Sequence, residues 1–164
     1  MIMSINKITE AIIKASIEVH RRLGPGLLES VYQRCLAIEL VDAGLAVQTE
    51  VAVPVVCKGH HIHDEGFRMD VLVEDAVVVE LKSKEKVIAT DKKQLITYLK
   101  LTQKPIGPLI DFSVPLLKQG ITRLANNYEE ESCSDPPSRR SAAATLSLSA
   151  FSAPPREISP EERP

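Results

Sequence analysis

The period of the hydrophobic positions changes once along the first half of the chain, and that change sets the order of elements. Ile5, Ile8, Ile12, Ala15, Val19 and Leu23 recur three and four residues apart, which predicts a helix that Ser4 can cap and Gly24-Pro25 stop. A second helix is predicted from Leu27 to Ala43, ending at Gly44, with Leu28, Val31, Tyr32, Cys35, Ile38 and Ala43 as its inward stripe. From Leu45 the period drops to two. "LAVQTEVAVPVVC" alternates, Lys58-Gly59 marks a turn, and strands follow at about 66–73 and 77–83. Thr90 or Asp91 can cap a third helix reaching Leu101, "PIGPLIDF" reads as a short strand and "GITRLAN" as a small edge strand. Two helices, hairpin-linked strands, a helix and a further strand describe an α/β domain with a mixed sheet.

That pattern ends before the chain does. Residues 129–164 hold 6 of the 11 prolines and 8 serines with no sustained apolar period, so they cannot bury enough surface to offset their chain entropy. The expected organisation is one domain over 1–128 and a disordered tail over 129–164. The tail carries 7 acidic and 4 basic side chains, which leaves 15 acidic and 16 basic in residues 1–128, a formal charge of +1. Within the domain, Lys82, Lys84, Lys86, Lys92, Lys93, Lys100 and Lys104 face only Glu85 and Asp91. Such a patch suits a polyanionic partner, although solvated helix faces also carry lysines. No apolar run approaches the roughly 20 residues of a membrane span, and the start lacks the order of a secretory signal, so a cytoplasmic protein is expected. Cys35, Cys57 and Cys133 are odd in number and widely spaced, which fits neither a disulfide framework nor a cysteine zinc site.

Chemistry concentrates in "FRMDVLVEDAVVVELKS", residues 67–83, where strand-like sequence carries Asp70, Glu80 and Lys82. Unpaired charges in such a setting cost several kcal/mol or more, so these three need partners or a purpose. Alternation puts Glu80 and Lys82 on one face. A two-residue loop at Glu74-Asp75 would set Asp70 opposite Val79, whereas a three-residue loop through Ala76 sets it opposite Glu80. Opposed carboxylates repel unless a divalent cation reverses the sign, and two carboxylates with open water positions suit Mg2+. Lys82 would then position a water or stabilise charge at a phosphorus centre. The plainer alternative is a surface ion pair on the solvated face of a hairpin.

Two helices add polar residues at helical spacing. "GPGLLESVY" sets Gly26, Glu29 and Tyr32 three apart, and "QLITYL" sets Gln94 and Tyr98 four apart on one face. Taken in order, "GLLESVY", "RMDVLVEDAVVVELKS", "QLITYLK" and "PIGPLIDFSVPLLKQGITRL" resemble the GxxExxY protein family, a branch of the PD-(D/E)XK nuclease superfamily, over about residues 5–126. The resemblance implies a restriction-endonuclease-like core, a mixed central β-sheet flanked by helices. It also implies Glu29, Asp70, Glu80 and Lys82 as catalytic residues, the three acids as ligands of Mg2+ or Mn2+, and Tyr32, Gln94 and Tyr98 near the substrate. The activity implied is hydrolysis of phosphodiester bonds in nucleic acid, DNA first. Asp91 stands where many relatives carry a histidine.

Two other readings remain, a module that binds nucleic acid without cutting it and a protein-interaction domain on the same scaffold. His60, His61 and His63 in "GHHIHDEG" read as a polar turn before a zinc site, and His20 as a helix-surface residue. Serine or cysteine catalysis lacks a paired base, and no glycine-rich phosphate loop follows a strand.

Overall fold

The computed structural model describes residues 3–84 and 86–126, with side chains omitted at positions 61 and 63–66. The expected tail and the side chains of His61 and His63 therefore lie outside the described residues. The elements are α1 (Ile5–Leu23), α2 (Glu29–Asp42), β1 (Val47–Cys57), β2 (His60–Val73), β3 (Val77–Lys82), α3 (Ala89–Leu101), β4 (Ile106–Asp111), a 3-10 turn (Leu117–Gln119) and β5 (Ile121–Ala125). The strands form one five-stranded sheet in chain order, antiparallel except where β3 and β4 run parallel across α3.

Alternation along β3 sends Val77, Val79 and Leu81 to one side and Val78 to the other, and every β4 residue is buried. Strands covered on both faces have this near-continuous apolar character. On one face α1 and α2 supply Ile8, Ile12, Tyr32 and Leu36 against Val71, Val79 and Ile110. On the other, Leu95, Tyr98 and Leu99 of α3 cover Met69, Leu72, Val78 and Leu109. The close approach of α3 requires a glycine at 107, where an added Cβ would stand 2.6 Å from the Val78 carbonyl oxygen and 3.0 Å from Leu95 Cδ1.

Three details differ from the sequence expectation. Helix α2 begins at Glu29 rather than Leu27, because Leu28 is extended (ψ 146°) and the Leu27 N–H donates instead to the Tyr32 hydroxyl at 3.1 Å. Its buried residues are Tyr32, Gln33, Leu36 and Leu40, while Leu28, Val31, Ile38 and Val41 are exposed. An apolar count could not rank a buried glutamine above exposed aliphatics. His20 is buried, 9% exposed, with Nε2 2.9 Å from the Val114 carbonyl oxygen and its ring beside Phe112. The 112–114 segment covers it.

Candidate active site

The β2–β3 hairpin pairs Val73 with Val77, Leu72 with Val78 and Val71 with Val79, leaving the three-residue loop Glu74-Asp75-Ala76. Glu74 (φ 53°) and Asp75 (φ 50°) adopt left-handed backbone to close it. One step beyond Val71, the register brings Asp70 level with Glu80, and alternation along β3 keeps Glu80 and Lys82 on one face. On β1, Thr49 pairs with Val71 and Val51 with Met69, which sets Glu50 level with Asp70. Glu50, Asp70 and Glu80 thus form one row across three strands. The ladder breaks there: Glu50 has φ 53°, and the Asp70 carboxylate accepts the Leu81 N–H at 2.7 Å.

Glu80 is 1% exposed, so the surface ion pair does not describe it. Lys82 Nζ lies 2.7 Å from Glu80 Oε1 and 3.9 Å from Glu29 Oε1. Glu80 Oε2 is buried with no hydrogen-bond partner among the described residues. Burial, with the neighbouring Asp70 charge, pushes the Glu80 carboxyl up to about 7 against the pull of Lys82. Burial likewise raises Asp70 to about 6, outweighing the Leu81 N–H and Lys82, with Glu29 and Glu50 adding repulsion. Burial alone would lower the Lys82 pKa, but the Glu80 contact and the surrounding acids raise it.

Glu29 arrives at the first position of α2, where a carboxylate suits the helix dipole. The preceding loop turns through Gly26 (φ 103°), a conformation side chains rarely adopt, and the Ser83 hydroxyl holds it by donating to the Leu27 carbonyl oxygen at 2.7 Å. Glu29 remains 43% exposed. Among the described residues no three His, Cys, Asp or Glu side chains converge closely enough to hold a metal. The expected Glu29, Asp70 and Glu80 set is therefore not a closed cage, because the Lys82 ammonium lies within 4 Å of both Glu29 and Glu80. Asp70 and Glu80 do fit a hard divalent ion. They offer oxygen donors, one of them buried and unpartnered, and magnesium asks for only one or two carboxylates besides its waters.

Tyr32 corrects a substrate-contact expectation. It is 0% exposed, stacks on Phe112 at 4.4 Å, and donates its hydroxyl to the Gly24 carbonyl oxygen at 2.6 Å while accepting the Leu27 N–H. The ring straps the glycine loop to α2 and has no free face. Tyr98 is also buried, its hydroxyl 2.6 Å from the Gln94 amide nitrogen, and lies close enough to Glu80 and Asp70 for their charges to add to the burial that raises its pKa. Asp91 caps α3: it accepts the Ile88 N–H at 2.7 Å and pairs with Lys84 at 2.6 Å. Burial opposes its ionisation, but those two contacts hold its pKa below the usual range.

Sequence reasoning missed Gln33 and Glu50. The buried Gln33 amide donates to the Asp70 carbonyl oxygen at 2.8 Å and to Glu50 Oε1 at 2.6 Å, so it fixes the peptide that carries Asp70. The available signals were that Gln33 lies four residues after Glu29 on one helix and that Glu50 interrupts a valine-rich strand.

The family model for the PD-(D/E)XK nuclease superfamily matches residues 6–124. No curated protein and no solved structure gives a significant match. No helix of the described residues is long and apolar enough to cross a membrane. The mixed sheet flanked by helices is a restriction-endonuclease-like α/β core. With that core present and the match spanning nearly all of it, the chain belongs to the PD-(D/E)XK nuclease superfamily.

Proposed function

We propose that this protein is a GxxExxY-type, divalent-metal-dependent nuclease that hydrolyses phosphodiester bonds of DNA in the cytoplasm. One observation carries the reading: among the described residues, Glu80 Oε2 is buried without a partner beside a paired lysine. A carboxylate oxygen in that position is costly unless something positive meets it. Asp70 and Glu80 would hold the ion, and Glu29, exposed at the rim, would accept a hydrogen bond from one of its waters. When bound, such an ion, Mg2+ or Mn2+, acidifies water and draws charge from the attacked phosphate.

The raised Lys82 pKa keeps an ammonium at neutral pH, which makes Lys82 a hydrogen-bond donor to the attacking water or to a phosphate oxygen. It cannot serve as the general base in that state. Free Cys35 and Cys57 suit a reducing compartment. The deciding experiment incubates the full chain with Mg2+ or Mn2+ and single-stranded DNA, duplex DNA and RNA. Cleavage of DNA that disappears in Asp70→Asn, with unchanged circular dichroism, is the expected result. No cleavage of any substrate overturns the proposal, and salt-sensitive binding unaffected by Asp70→Asn would mark a non-cutting module.

A further inference from the structure

Phe67 does not behave like its neighbours on β2. Met69 and Leu72 are buried under α3, yet Phe67 is 44% exposed although Tyr98 stands beside it, ring centroids 6.0 Å apart at 58°. The helix stops covering the sheet there and leaves a groove of about 410 Å³ lined by Phe67, Thr90, Lys93, Gln94, Thr97 and Tyr98. Tyr98 cannot itself take a ligand ring, because it is buried and hydrogen-bonded to Gln94. It supports Phe67 from behind and connects the groove to Asp70 and Glu80, whose charges reach its hydroxyl.

The groove is apolar at its floor and carries Lys93 in its lining, with Lys92 and Lys100 on the same helix. Lys92, Lys93 and Lys100 are exposed on α3 and join no ion pair among the described residues. Asp91, the one acid on that helix, is buried and bound to Lys84. A ligand that matches both features carries flat apolar rings at intervals along a polyanionic backbone. Duplex DNA does not, since its bases stack on one another and offer no free face to a phenyl ring. A single strand does.

We propose that Phe67, supported by Tyr98 and bordered by Lys93, is a stacking subsite for an unpaired base of a single nucleic-acid strand whose backbone then runs to the acidic row. The proposal rests on the nuclease reading only for what happens to the strand; binding at Phe67 needs no metal. Lys93 takes a phosphate and the ring takes the base. The protein would then act on single-stranded regions or frayed ends.

The chain contains no tryptophan, so Phe67→Trp introduces a lone fluorophore at the groove. Titrating the full chain carrying it with a thymidine oligonucleotide in EDTA should quench its emission saturably, and a blunt duplex of equal length should not. A parallel uridine oligonucleotide separates DNA from RNA, and quenching by either supports the subsite. Phe67→Ala should weaken single-strand binding about tenfold while Phe67→Tyr retains it, as expected when one stacked base is lost. Unchanged binding by Phe67→Ala, equal quenching by duplex, an unmoved indole at oligonucleotide saturation, or no oligonucleotide binding at all overturns the proposal. Quenching without cleavage under any metal condition sinks the nuclease reading alone.

Discussion

Lys82 and Glu80, two residues apart on one strand, meet through a single contact: Nζ lies 2.7 Å from Oε1, and the second oxygen of that buried carboxylate has no hydrogen-bond partner among the described residues. The lysine satisfies half of the acid. A cation shared by the other half and Asp70 would convert a destabilising pair of acids into a binding site.

Asp70→Asn should therefore separate stability from metal response. The asparagine oxygen can still accept the Leu81 N–H, and the repulsion on Glu80 disappears, so the metal-free melting temperature at pH 8 should hold or rise. Wild type should gain ~2.7 kcal/mol when Mg2+ reaches a hundred times its Kd, and the variant should gain nothing. Thermal melts with and without Mg2+ measure both. A full metal response in the variant would remove Asp70 from the ligand set.

The two raised carboxyl pKa values fix a pH trend. In the unfolded chain both acids ionise near pH 4, whereas in the fold they do so at about 6 and about 7. Their contribution to stability is full below pH 4, falls as pH rises, and is exhausted above pH 7. Acids with lowered values, Glu10, Glu18 and Asp91, have completed their opposite change below that window. Denaturant titrations in EDTA should show stability dropping by on the order of 3 kcal/mol between pH 5 and 8. Adding Mg2+ should reverse the trend, since the metal binds the ionised forms. Metal-free stability that rises across this range would contradict the burial argument.

Removing the ammonium tests the same pair from the other side. Lys82→Met leaves Glu80 buried with no countercharge, which should cost ~3 kcal/mol at pH 8. At pH 5.5 Glu80 is protonated and the cost should shrink. DNA cleavage should fall at least ~100-fold at either pH. A pH-independent stability loss would indicate lost packing rather than lost charge.

Tyr32→Phe should act on the fold more than on the chemistry. Its hydroxyl bridges the Gly24 carbonyl and the Leu27 N–H, so its removal should cost about 1–3 kcal/mol. Substrate affinity should stay within a few fold, as the ring has no exposed face. A large loss of affinity without a stability change would restore a role at the substrate.

Gln33→Ala should loosen Asp70 without touching its carboxylate. Metal affinity, measured by calorimetry, should weaken about tenfold, in the range seen when a residue that orients a ligand is removed. Glu50→Gln should have a milder effect, because its amide oxygen can still accept the hydrogen bond from Gln33. An unchanged affinity in Gln33→Ala would show that the strand alone holds Asp70.

The elements were legible because their residues carry the information locally. The 3.6-residue period of α1, the two-residue period of β1, Gly44 after α2 and the Lys58-Gly59 turn each follow from contacts a few residues apart. Glu80 and Lys82 could be placed on one face for the same reason. Local pattern failed where burial comes from a distant segment. His20 is covered by residues near 114, and the face of α2 follows the demands of Gln33 and Tyr32 rather than its aliphatic count.

By itself the sequence determined an α/β core, the order of its elements along the chain and the shared strand face of Glu80 and Lys82, because spacing along a helix or strand dictates which side chains share a side. It left open whether the β2–β3 loop held two residues or three, and its signals at Gln33 and Glu50 did not say that the two would meet at the Asp70 peptide. Only the tertiary structure decided those points and left one oxygen of Glu80 without a partner among the described residues. Register and desolvation depend on how separate segments meet, and a carboxylate acquires an unusual proton affinity only after other parts of the chain have excluded water from it.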